Sequence, residues 1–243
     1  MSRRWGPLAA CLVAVWLIVP AVLAAARWPR WWDYIAQEMT PMTWVQSVVL
    51  VLAAAGALLV AFVLRRTEGG GTGGARTGVW WLLAAGFAVL ALDERFALHE
   101  RVRDGYLAPR GVTVPFLPWV APGDFLVMGL ALVGLALLPA VWRAVRVDTA
   151  SRNALVAGVL LAVVAVGIDS VDPATWTVAA ERVQQSLEEV VELGSGLAFL
   201  AAIVLRLTGL LAAHLPSAVP HEPPVAARPA PVPAPPAAGG GGR

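Results

Sequence analysis

The sequence predicts an all-α fold: a polytopic membrane helix bundle of about six transmembrane helices, with both termini cytoplasmic. Two observations carry the fold class. Hydrophobic residues make up 58% of the 243-residue chain and charged residues only 14%, with a mean hydropathy of +0.71. Soluble domains run nearer half apolar and a quarter charged, which excludes a cytosolic globular protein. In addition, five or more apolar stretches approach the roughly 18 to 20 residues needed to cross a bilayer.

The first helix is expected over residues 6–26. Arg3 and Arg4 precede it and Ala24–Ala26 ends it, an arrangement resembling a cleavable signal. Its apolar run of about twenty residues is longer than the roughly 7–15-residue core of such a signal, so a retained anchor is the better reading. Further spans are expected over 44–64, 78–99, 124–142, 154–171 and 184–208. Pro20 and Pro139 fall inside helices and predict kinks, where neighbouring groups satisfy the freed carbonyls. Between the second and third spans, Glu68–Arg76 (EGGGTGGAR) reads as a flexible linker. It lacks the Gly-Lys-Ser/Thr ending of a phosphate loop, so no nucleotide is expected. Asp124, after Pro122-Gly123, reads as the N-cap of the fourth span. Residues 1–215 form the transmembrane domain. Residues 216–243 are Pro, Ala and Gly-rich and read as a disordered cytoplasmic tail, with His214 and His221 as solvated bystanders.

All 18 basic residues are arginine. Eleven fall at the two termini and in the second and fourth loops, and seven on the opposite side, a bias that places both termini in the cytoplasm. Trp28, Trp31, Trp32, Trp44, Trp119 and Trp176 would then form an outer aromatic belt, with Trp5, Trp80, Trp81 and Trp142 at the inner one. The formal net charge of +2 is too small to imply nucleic acid. Cys11 stands alone in an apolar run, which rules out a disulfide framework or a cysteine metal site.

The acidic residues are distributed unevenly. Of 16, only Glu68, Asp148 and Glu222 fall on the cytoplasmic side. The positive-inside rule concerns arginine and lysine and does not explain this. Several of the others lie within apolar spans, where a carboxylate costs about 2.5–3.5 kcal/mol at the bilayer centre unless it faces the bundle interior.

Two segments concentrate them. The third span ends in Asp93-Glu94-Arg95-Phe96-Ala97-Leu98-His99-Glu100. A continuous helix would put Asp93 and Glu100 on one face, Arg95 and His99 on another, and Asp93 about 9 Å deeper than His99. In the last span Glu181, Gln185, Glu188, Glu192 and Ser195 recur at steps of four and three, forming one polar stripe flanked by Glu189. Gly194 and Gly196 below it would let another helix approach closely. Asp169 and Asp172 end the fifth span at the same level.

Many carboxylates cannot all ionise in a low-dielectric pocket unless a cation neutralises them or they share protons. The expected site therefore opens to the extracytoplasmic side and binds a divalent metal cation. Its metal ligands are Asp93, Glu94, His99, Asp169, Glu188, Glu189 and Glu192, with His99 and Glu100 as catalytic acid/base residues. Such a site would support metal-dependent hydrolysis or transfer on a lipid or other membrane-proximal substrate. Two alternatives use the same residues. One is a proton- or cation-coupled transporter. The other is a structural or partner-binding membrane protein, in which Arg95 and Arg182 pair with the acids, as Arg101 or Arg103 could with Glu94 and Glu100. The lipid bilayer and a lipid or small-molecule substrate are the expected partners, and a bacterial inner or plasma membrane the expected location. Neither segment carries the motifs of rhomboid proteases, zincins or phosphatidic-acid phosphatases.

Overall fold

The computed structural model describes residues 5–37, 39–67, 74–117, 120, 125–171 and 175–214. The expected tail, His221, Asp124, Asp172 and Trp119 lie outside them. The described chain is helical. Six helices are long and apolar enough to cross a membrane, and the protein is a multi-pass membrane protein. In order, the α-helices among the described residues are α1 (Trp5–Ala26), α2 (Pro41–Thr67), α3 (Gly74–Phe96), a short α4 (Leu98–Val102), α5 (Phe125–Val145), α6 (Thr149–Asp169) and α7 (Val178–His214), of which all but α4 are the membrane-crossing six. A π-helical turn (Arg103–Leu107) and a 3-10 turn (Ala108–Arg110) follow α4.

The helices run longer than the apolar runs alone predict, because polar turns extend them. Asp148 caps α6, its Oδ1 accepting from Ala150 N at 2.9 Å and Ser151 N at 3.3 Å, so the helix starts at Thr149 rather than near 154. Residues 74–76, expected in the linker, already belong to α3, and His214 is the last residue of α7 rather than part of a tail. At 37 residues α7 is about 55 Å long, well beyond the roughly 30 Å of a hydrocarbon core. Its acidic N-terminal turns therefore continue past the end of the apolar span. Both α1 and α5 continue through Pro20 and Pro139.

One break was not expected from the sequence. The third span does not run on to His99. It stops at Phe96, where Ala97 takes a left-handed conformation (φ 47°), and α4 starts in a new direction. The facial relationships expected for Asp93 with Glu100 and Arg95 with His99 are thereby overturned, as is the 9 Å offset between Asp93 and His99.

Helix α7 packs closely against α1, α2 and α6. Its Gly194 lies under the Trp16 indole of α1, where a Cβ would meet Nε1 at 2.8 Å, and Gly196 faces Val49 of α2. The close approach read from these glycines is what the packing uses. On another side of α7, Phe199 covers Gly158 of α6, and Ser151 Oγ donates to Ala202 O at 2.7 Å. Trp80, expected at the inner interface, is instead fully buried, in one cluster with the small residues Ala53, Ala57 and Ala61 of α2. Small side chains on α2 leave the volume an indole fills.

Candidate metal centre

The polar end of the bundle is built where α3 stops beside the middle of α7. Glu94 sits two residues before the end of α3, and Glu189 and Glu192 are one helical step of three apart on α7. One carboxylate oxygen from each of the three lies within 4.8 Å of the other two. Glu189 is buried and the other two are half-buried. Three ionised carboxylates this close repel one another strongly in a medium of reduced dielectric, so the arrangement calls for a compensating cation or retained protons. All-oxygen donors fit a hard divalent ion. Three oxygens mutually within 4.8 Å surround a point no more than about 2.8 Å from each, so a slight inward movement of the side chains reaches the roughly 2.3–2.6 Å of calcium–oxygen distances.

The trio opens into a cavity of about 1350 Å³. Its polar end also holds Asp93, His99, Glu100, Asp169, Glu181 and Glu188, while its walls are apolar residues of α3, α5, α6 and α7, among them Phe87, Leu135, Val163 and Phe199. The volume exceeds the roughly 300–1,000 Å³ of ordinary small-ligand pockets.

Around the trio, each remaining sequence-predicted residue has a specific place. Asp93 is bound to His99: its Oδ1 accepts from the His99 backbone N–H and its Oδ2 faces His99 Nδ1, both at 2.8 Å. Asp93 thus anchors the turn after Ala97 and orients the imidazole. Because a carboxylate only accepts, Nδ1 carries the proton and Nε2 the lone pair of the neutral ring. Glu100 accepts from Arg103 at 2.7 Å, and Arg103 also reaches Asp104 at 2.8 Å. That is the interfacial pairing weighed for Glu100 from the sequence. Asp169 lines the cavity from the end of α6, where Gln184 of α7 donates to Ile168 O at 2.7 Å and to Val171 O at 3.1 Å. Asp169 is therefore level with residue 184, about 12 Å along α7 from Glu192. Arg182 donates to Gln185 at 2.7 Å, and Arg95 is exposed.

Residues 5–207 match the family described as Domain of unknown function (DUF8692), from the start of α1 to the last turns of α7. The chain belongs to that family. No curated protein and no solved structure matches it. All the cavity's acidic residues lie within the segment that defines the DUF8692 match.

Sequence reasoning undervalued one residue of this DUF8692 chain. Gln46 on α2 lines the same cavity and donates from Nε2 to the Glu189 carbonyl at 3.0 Å, tying α2 to the turn of α7 that carries the acids. The signal was present: with Ser47 it interrupts an otherwise apolar stretch of the second span. Ser47 has a local use, donating to Thr43 O at 2.8 Å. Gln46 does not.

Proposed function

We propose that the protein binds a divalent cation at Glu94, Glu189 and Glu192 and uses it for hydrolysis or transfer on a lipid or other membrane-proximal substrate. The observation that carries this reading is the convergence of three carboxylates from two helices within 4.8 Å, on a cavity whose other walls are largely apolar. Carboxylates held for solubility would point apart into water. These are gathered, and gathering them without a cation is unfavourable.

The remaining chemistry follows from the cavity. A divalent cation there supplies Lewis acidity to a substrate oxygen. His99, held by Asp93, presents a ring nitrogen suited to taking a proton from water or giving one to a leaving group. Asp169 and Glu188 line the same cavity and add to the negative field that attracts a cation. Glu100 is less suited to proton transfer, since its carboxylate is engaged by Arg103 at 2.7 Å. The apolar walls suit an aliphatic chain, with the polar head at the acidic end. The arginine bias supports cytoplasmic termini, and six crossings then leave the acidic end on the extracytoplasmic side.

Metal analysis of the protein purified without chelator tests the reading. It expects about one divalent ion per chain, lost in Glu192→Gln. Metal-free protein that takes up none on addition, with unchanged behaviour of Glu192→Gln, removes the proposal. Cation flux in proteoliposomes that disappears in Glu192→Gln would instead favour the transporter.

A further inference from the structure

Gln46 is a buried polar side chain on the cavity whose geometry leaves a specific atom to be accounted for. It is 4% exposed, and its Nε2 is committed to the Glu189 carbonyl at 3.0 Å. Turning the amide over would set oxygen against oxygen, so the hydrogen bond fixes which end is which. Its Oε1 is then a buried acceptor that takes no hydrogen bond among the described residues. A buried carbonyl is ordinarily satisfied, and an orphan one at a candidate site asks for a partner. No donor is needed if that partner is a cation. The amide belongs to the residue bonded to Glu189, itself one of the three clustered acids.

We propose that Gln46 Oε1 is a fourth oxygen ligand of the cation site, and that this neutral carbonyl makes the site prefer calcium or manganese over zinc. The inference rests on the cation reading of the carboxylate trio. Side-chain amide carbonyls are ordinary ligands of calcium, while zinc in proteins is held mainly by nitrogen, sulfur and a few carboxylate oxygens. Four oxygens from three helices also leave room for a substrate oxygen, because calcium and manganese accept six or more ligands. The hydrogen bond to Glu189 gives Gln46 a second role: it holds the amide in place before the ion arrives, which lowers the ordering cost of binding.

The test is ion binding to the full chain in detergent, with manganese as a spectroscopic probe and calcium and zinc as competitors. The wild type should bind one manganese ion, displaced by calcium at lower concentration than by zinc. Gln46→Leu, similar in volume, should weaken manganese by about 10- to 100-fold while changing zinc far less, so the manganese-to-zinc preference falls. Gln46→Glu loses the same hydrogen bond to Glu189 but supplies a charged oxygen, and should bind manganese at least as tightly as wild type. A purely structural Gln46 predicts that both variants weaken all ions alike, with the preference unchanged, and that result overturns the proposal. The wild type offers a route that needs no variant. With glutamine side chains labelled with carbon-13, electron–nuclear double resonance on bound manganese should show a strong carbon coupling, and its absence also overturns the assignment. Wild-type protein that binds no manganese or calcium would remove the cation reading itself. Binding with an unmoved preference removes only the role of Gln46.

Discussion

The imidazole of His99 stands 2.8 Å from the carboxylate of Asp93, six residues earlier in the chain and across a break in the helix. The same carboxylate accepts the His99 backbone N–H at 2.8 Å. Asp93 therefore does two things. It satisfies an N–H group left over where α4 begins, and it fixes which ring nitrogen carries the proton. Both uses come from one reversal at Ala97.

Separating those two uses gives the first prediction. Asn caps helices about as well as Asp, so Asp93→Asn should cost no more than about 1 kcal/mol. Its amide can donate to the ring, which moves the imidazole proton to Nε2 and removes the lone pair from that position. Nitrogen-15 shifts of His99, recorded with His214 and His221 replaced by Asn, should report Nδ1–H in the wild type and Nε2–H in the variant. Any hydrolytic activity should fall about 100-fold or more with the tautomer. An unchanged tautomer with unchanged thermal stability would mean that Asp93 does not orient the ring.

The backbone at Ala97 supplies the second. An L-residue with φ near 47° is strained by roughly 1–2 kcal/mol, which glycine avoids. Ala97→Gly should raise the melting temperature or leave it level, its gain offset in part by greater freedom of the unfolded chain. Ala97→Val, β-branched and placed at a buried position, should lower it clearly and disturb the His99 resonances. Equal melting temperatures for both variants would show that the left-handed turn is not maintained in solution.

This turn also marks where the sequence stopped being informative. The six spans were legible because bilayer thickness imposes a length and an apolarity that composition shows directly. Nothing in Asp93–Glu100 announces a left-handed alanine: there is no Gly, Asn or Pro at the break, and helix propensity runs unbroken. The periodicity argument therefore extended α3 one turn too far and misplaced His99. In α7 the same argument worked, since no break interrupts Glu181–Ser195, and Gly194 and Gly196 mark close contacts that only small residues permit. What periodicity could not give was the partner across the gap. That Glu94 meets Glu189 and Glu192, while Glu100 goes to Arg103, depends on how α3 and α7 are rotated against each other, which is set by packing such as Trp80 among the alanines of α2.

The carboxylate trio makes a prediction whose sign depends on the ion. Without metal, Glu94, Glu189 and Glu192 repel one another, so neutralising one should stabilise the protein. Glu192→Gln should thus melt higher than wild type in chelator. With calcium or manganese at about 100 times its dissociation constant, the wild type should gain about 2.7 kcal/mol, and the variant much less. The order of melting temperatures then reverses between the two conditions. A variant that is less stable than wild type in both would indicate that Glu192 is a structural partner and not a ligand.

The Trp16–Gly194 contact tests whether the site depends on helix packing at a distance. A methyl group on Gly194 would meet the Trp16 indole at 2.8 Å, and Trp16 Nε1 now donates to Val190 O at 2.7 Å, in the turn that carries Glu189 and Glu192. Gly194→Ala must push the indole away and break that bond, at a cost of about 1–3 kcal/mol. Trp16→Phe loses the donor but leaves space, so the methyl group becomes easier to accommodate. The double variant should therefore be less destabilised than the sum of the two single changes, which thermal melts of all four proteins would measure. Cation affinity should fall in Gly194→Ala and recover partly in the double variant, because α1 no longer forces α7 out of register. Strict additivity in the melts, with cation affinity unmoved throughout, would mean that α1 merely covers α7 and has no part in holding the acids in place.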